Sequence, residues 1–374
     1  MSDERQDEHR DERWFANARD RVWSCPAVPA DVLAFHRTLA GYSPTRLVEL
    51  PAVAAELGVG RVFAKDESSR LGLPAFKALG ASWAIHRALE ERALAERALA
   101  APGPIGPVTF VTATDGNHGR AVARMARLLG HKARITVPDG VHPAAIAAIE
   151  AEGAPVTHVA GSYDDAVAAA ARDAAADPAA ILLQDTAWPG YETVPAWIVE
   201  GYATLFAELD EQLAVAGIEA PSLVVVPVGV GSLAQAAVAH YRSQPNPART
   251  ALLSAEPVTA ACALASLRAG CAVSVPTQTT IMAGLNCGTP SSLAWPYLHR
   301  GLDGAAAVTD AEAAVAGTAL RAGSVDAGPC GWAGLAAAKH ALAQPGARGH
   351  LGVGPASTLV LVVTEGSAAN PAGG

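Results

Sequence analysis

Short apolar runs and longer amphipathic stretches alternate along most of this chain. Residues 108–113 (VTFVTA), 133–138 (ARITVP), 156–159 (VTHV) and Ile181-Leu182-Leu183 have the composition of strands. Between them, helical spacing runs from Gly119 to Leu129, from Pro143 to Glu152, and through the alanine-rich segment that follows. The second half repeats the pattern. Helix is predicted for Pro195 to Ala216, Ser232 to Tyr241, Asp310 to Ala322 and Gly331 to Ala343, and strand for Leu223 to Pro227, Leu252 to Glu256 and Thr358 to Val363. Nearer the N-terminus, Arg61 to Lys65 reads as a strand, Pro26 to Ala40 carries a short helical pattern, and Ala81 to Ala100 is an amphipathic helix broken by Pro102 and Pro104. Continuous apolar strands alternating with helices predict an α/β fold whose parallel sheets are covered on both faces.

Composition narrows the function. With 374 residues, half of them hydrophobic, the chain can bury a large core and divide into two domains. A net charge of -9 with no basic cluster argues against nucleic acid or an anionic membrane as partner. The five cysteines are odd in number and form no C-x-x-C pair, so neither a zinc site, nor any other metal site, nor a disulfide framework is expected, and a cytoplasmic location fits. The first 20 residues read as a charged, mobile leader and not a signal peptide, and no apolar run is long enough to span a membrane.

Candidate chemistry gathers in a few loops. Of the four lysines, Lys65, Lys132 and Lys339 read as solvated, whereas Lys77 lies among small and apolar residues at the start of a helix. Such a lysine has a lowered pKa and suits a Schiff base or a general base. Ligands of open parallel sheets bind where strands end, so the loops leaving the strands matter most. One carries Asp115, Gly116, Asn117 and His118; a plain helix cap by Asp115 or Asn117 explains it as well as a site does. A second carries Gln184, Asp185, Thr186 and Trp188. A third, Gly229-Val230-Gly231-Ser232, opens a helix and suits a phosphate. Gly229, Gly231 and Ala234 also fit the spacing of a dinucleotide fingerprint, with Glu256 as the ribose acceptor, which keeps an NAD-dependent dehydrogenase open as an alternative. The last predicted strand exits through Thr364 and Glu365.

Several segments resemble diaminopropionate ammonia-lyase, a pyridoxal phosphate family of the tryptophan-synthase-β type, fold type II. They are KDESSRLGLPAFKALGASWA, TDGNHGRAVA, QDTAWPGYETVPAWIVEGY, VGVGS and TIMAGLNCGTPSSLAW. Serine and threonine dehydratases share the lysine and the GNH core but usually carry serine at Thr114 and a small residue at Asp115, and they lack QDTAW. A dehydratase of the same fold is the second alternative. Arg46 departs from the family, which tends to have proline there.

The resemblance implies two open parallel-sheet α/β domains with the active site between them. The large one takes residues 1–84 and 190–374, and the small one 85–189. It implies pyridoxal 5'-phosphate anchored on Lys77, Asn117 at its phenolic oxygen, Gly229, Val230, Gly231 and Ser232 at its phosphate, and Thr364 at its pyridine nitrogen. A hydroxyl at that nitrogen favours elimination over transamination. Asp115 and Asp185 become acid-base residues, assigned to the D and L isomers of the amino-acid substrate respectively. A homodimer is expected by analogy.

Overall fold

The computed structural model describes residues 11–20, 22–98, 106–246 and 250–369. The leader before Asp11 and the helix-breaking Pro102 and Pro104 lie outside the described residues. Eleven strands are described: β1 (Trp14–Ala16), β2 (Arg46–Glu49), β3 (Arg61–Asp66), β4 (Thr109–Ala113), β5 (Lys132–Val137), β6 (Val156–His158), β7 (Ala180–Leu182), β8 (Leu223–Pro227), β9 (Ala251–Pro257), β10 (Gly304–Val308) and β11 (Thr358–Val363). They form two sheets in two compact units. One unit comprises residues 1–27, 46–66 and 209–364, the other 28–45, 67–208 and 365–374.

The first unit holds a seven-stranded sheet in the order β1-β10-β9-β8-β11-β3-β2. Its inner strands run parallel, and β1 and β2 close the two edges antiparallel. Every residue of β8, β9, β10 and β11 is buried, which is why β8 and β11 read as continuous apolar runs. The helix Pro329–Leu342 packs on β8 to β11, and its alanines and glycines let it lie close to them. The expected mobile leader is corrected from Asp11 onward. Trp14–Ala16 pairs with β10, and Arg13 Nη1 donates to both carboxylate oxygens of Glu312, at 3.0 and 2.8 Å. Arg46, the residue that departs from the family pattern, also has a partner here: its Nη2 lies 2.6 Å from the buried carboxylate of Asp66. Lys65 is a second correction. It is fully buried and its Nζ donates to Gln212 Oε1 at 3.0 Å, so its acidic neighbours in sequence do not mark a solvated position.

The second unit holds a parallel four-stranded sheet, β6-β5-β4-β7. The helix Asn117–Leu128 follows β4, and its start is set by two close contacts. Thr114 Oγ1 accepts from the amides of Gly116 (2.9 Å) and Gly119 (3.0 Å), which makes Thr114 the acceptor that ends the loop. A Cβ on Gly119 would fall 2.3 Å from Thr114 Cγ2 and 2.8 Å from Ile135 Cγ2, so only glycine allows this helix to lie so near the sheet. A similar approach joins the helices Ala78–Ala98 and Thr193–Val215. There a Cβ on Gly201 would sit 2.6 Å from the Leu79 carbonyl oxygen and 2.8 Å from Gly80 Cα. Among the described residues, no helix is long and apolar enough to cross a membrane.

Candidate active site

The segment Glu67 to Phe76 leads to Lys77 and is held from below by a buried ion cluster. Arg70 is fully buried. It donates from Nε and Nη2 to Glu67 (2.8 Å each) and from Nη1 and Nη2 to Glu208 (2.6 and 2.7 Å). Thr45 Oγ1 donates to Glu67 Oε1 at 2.5 Å, and Tyr42 donates to Glu208 at 2.7 Å, so each carboxylate meets several donors. The segment is pinned at its other end by a bridge between Ala75 and Glu365 and by the Gly366 amide donating to the Pro74 carbonyl (2.9 Å). Lys77 is thereby presented on a stiff support.

Lys77 Nζ lies 2.7 Å from Asp185 Oδ2, with side-chain exposures of 26% and 13%. Burial works to lower the lysine's pKa, but Asp185, Tyr202 and Asp115 outweigh it and hold the amine above its ordinary value. The lowered pKa expected from apolar sequence neighbours is therefore corrected, because the sequence does not show the carboxylate that folding brings alongside. For Asp185, burial alone would raise the pKa, yet His118 and Lys77 bring it down to about 2. Asp115 is pushed the other way. It keeps solvent access, yet the protein packed around its carboxyl raises the pKa, Lys77 opposes this, and Asp185 adds to it. Two carboxyls near one lysine are thus driven apart, one firmly ionised and the other closer to exchanging its proton.

His118 is buried, and its Nε2 donates to the Leu183 carbonyl at 2.8 Å. Nδ1 lies 3.6 Å from Asp185 and is without a hydrogen-bond partner among the described residues. Asn117 Nδ2 donates to Glu365 Oε2 at 2.9 Å, which uses one of its two amide protons and leaves the other. Because Thr114 ends the helix, neither Asp115 nor Asn117 is consumed as a cap. The Lys77, Asp115, Asn117, His118 and Asp185 side chains all belong to the second unit, and electrostatic contact or hydrogen bonding links Lys77, Asp115, His118 and Asp185.

Gly229 to Ser232 and Thr364 belong to the first unit, where they leave the neighbouring parallel strands β8 and β11. Gly231 has φ of 102°, and a Cβ there would meet Leu298 Cδ1 at 2.8 Å; a Cβ on Gly229 would lie 3.0 Å from the Gly284 carbonyl oxygen and 3.1 Å from Cys287 Sγ. Gly231 requires glycine and Gly229 leaves little room for a side chain, so the loop presents bare backbone at the start of the helix Ser232–Arg242. Thr364 Oγ1 is buried with no hydrogen-bond partner. A buried hydroxyl without a partner needs one, and a pyridine nitrogen would serve. These residues fit pyridoxal phosphate.

They fit a dinucleotide poorly. Glu256 is fully buried, and its two carboxylate oxygens accept from the Ala263 (2.7 Å) and Leu264 (2.8 Å) amides at the start of the helix Cys262–Ala269. It is a helix cap and not a ribose acceptor, which leaves the dehydrogenase alternative with the glycine spacing alone. No disulfide joins any two of the five cysteines.

Sequence reasoning missed Tyr163, whose half-buried phenol receives the Gln184 Nε2 proton at 2.7 Å and neighbours both Asp185 and Asp115. It starts an alanine-rich helix instead of a strand-exit loop, so no local signal marks it.

The chain belongs to the pyridoxal-phosphate dependent enzymes, whose family model matches residues 38–365. Within that class it is 39% identical over 283 residues to the diaminopropionate ammonia-lyase of Salmonella typhimurium, covering 72% of this chain and 69% of that one. The crystal structure of holo diaminopropionate ammonia lyase from Escherichia coli superposes with a TM-score of 0.84 at 31% identity, covering 95% and 94% of the two chains. The L-threonine ammonia-lyase of Geobacter sulfurreducens is 28% identical over 56% of this chain and 48% of its own length.

Proposed function

We propose that this protein is a pyridoxal 5'-phosphate-dependent lyase that converts 2,3-diaminopropionate and water to pyruvate and two ammonia. The observation that carries the reading is the Lys77–Asp185 contact of 2.7 Å with Asp115 acting on the same amine. When bound, the cofactor acts as the electron sink for charge developing at the substrate α-carbon. Lys77 would anchor it, Asn117 would offer its remaining amide proton to the phenolic oxygen, Gly229 to Ser232 would offer backbone amides to the phosphate, and the Thr364 hydroxyl would partner the pyridine nitrogen.

The chain's own groups divide the proton transfers. Asp115, with its raised pKa, takes the α-proton of the D isomer. Asp185 serves the L isomer by orienting Lys77 from 2.7 Å, and Lys77 takes the α-proton when its amine is neutral. The β-amine leaves protonated, and a positioned acid there contributes roughly 10²–10⁴ in rate. A dehydratase would eliminate hydroxide from serine or threonine and has no evident need of two carboxylates beside the lysine. A homodimer, checked by light scattering, and a cytoplasmic location belong to the same proposal.

The test uses purified protein loaded with the cofactor. A visible absorbance band removed by borohydride and missing in Lys77→Ala supports the anchor. Pyruvate release from diaminopropionate above that from serine and threonine supports the substrate, and the reverse order overturns it.

A further inference from the structure

We propose that Gln184 is a positioning residue that locks the Asp115 and Asp185 loops together and so sets the balance between D and L substrates. This rests on the assignment of the two aspartates to opposite isomers. Strands β4 and β7 pair in parallel through Val111 and Leu182, and the Leu183 amide adds one more bond to the Val111 carbonyl at 2.8 Å. There the backbone pairing of these two strands stops. Beyond it the Ala113 amide donates at 2.9 Å to the side-chain oxygen of Gln184, which stands where a strand carbonyl would have been.

That amide group is engaged at both ends. Gln184 is 0% exposed; its Oε1 also accepts from Thr112 Oγ1 at 2.9 Å, and its Nε2 donates to Tyr163 at 2.7 Å. Its backbone amide donates to the Tyr191 hydroxyl (2.9 Å), which itself donates to the Leu182 carbonyl at 2.9 Å. The clamp therefore grips β4 two residues before Asp115 and the loop leaving β7 one residue before Asp185. Glutamine suits the position because it offers an acceptor and a donor on one rigid plane. Glutamate would keep the acceptor, lose the donor and add charge beside two carboxyls; methionine would keep only the volume.

Without the clamp the two loops move relative to each other, so the two isomers suffer unequally. A loss of folded protein, in contrast, lowers both rates by the same factor. The experiment compares native and Gln184→Met holoenzyme on D- and L-diaminopropionate, with hydrogen exchange of the peptide containing Ala113. For Gln184→Met we expect kcat to fall about 10²-fold with KM within about threefold, the D-to-L ratio of kcat/KM to move at least about fivefold, and the Ala113 amide to lose protection. A ratio that stays within about twofold of native while protection is lost overturns the proposal. If Gln184→Met does not fold, Tyr163→Phe takes its place, since it leaves the Ala113 bond but removes the partner of Nε2. The same ratio is then decisive. Asp115→Asn and Asp185→Asn run in parallel: equal losses on both isomers in these variants overturn the assignment of the aspartates itself, whatever Gln184→Met does.

Discussion

Lys77 Nζ and Asp185 Oδ2 stand 2.7 Å apart, and each shifts the other's proton affinity: the amine is held up and the carboxyl down. The pair behaves as one proton store, with the proton on nitrogen. To attack an aldehyde the amine must first be neutral, so loss of the Asp185 carboxylate would let the amine capture a cofactor aldehyde at lower pH. In Asp185→Asn the pH at which the apoprotein captures pyridoxal phosphate should move down, followed by the rise of visible absorbance. Turnover of L-diaminopropionate should fall by roughly 10²–10⁴. An unchanged capture profile would contradict the pairing.

The Arg70 cluster places one guanidinium between two carboxylates in a fully buried site. Arg70→Met keeps the volume and strands both Glu67 and Glu208 as uncompensated charges. Removing one partner of a buried pair costs about 3–5 kcal/mol. The urea midpoint should fall accordingly, and the double substitution Arg70→Met with Glu208→Gln should recover part of it.

His36 supplies a pH dependence. It is buried, its Nε2 donates to the Leu79 carbonyl at 3.0 Å, its Nδ1 faces Thr204 Oγ1 at 2.6 Å, and burial holds its pKa down to about 4 against an ordinary 6.5. Because the unfolded chain takes the proton first, the stability this residue contributes is complete above pH 6.5 and is lost as pH falls toward 4. The shift corresponds to about 3 kcal/mol. Unfolding free energies measured from pH 7 to pH 4 should show the decline, and His36→Gln should flatten that part of the curve.

The approach of the helices at Gly80 and Gly201 gives a steric prediction. In Gly201→Ala the new methyl would meet the Leu79 carbonyl and Gly80 two and three residues beyond Lys77. Overpacking of this kind costs about 1–3 kcal/mol. A lowered thermal midpoint together with weaker retention of the cofactor on dialysis is the expected outcome, and a midpoint equal to native would show that the helices separate freely.

Much of this was legible in the chain itself, and the exceptions have physical causes. Strands β8 and β11 announce themselves because they are apolar on both faces, whereas β10, Gly304–Val308, is three alanines between a glycine and a valine and carries little strand preference. The loops singled out as candidates stand out because glycine and polar residues concentrate at strand ends. What the sequence could not show was anything decided by distant residues. Lys65 is buried by tertiary packing despite the acidic pair beside it, and Lys77 gains rather than loses proton affinity because Asp185 arrives from 108 positions away. Tyr163 and Glu256 likewise acquire their roles from partners on other elements.

Thr114 meets the helix's demand for an acceptor with its own hydroxyl, and the two neighbours proposed to carry the chemistry are left out of that task. Stability and reactivity are therefore written on different letters of the same short loop. Asp115 and Asn117 can be exchanged for other side chains while the turn keeps its shape, so a loop of this design is free to change its reaction without having to reinvent its fold.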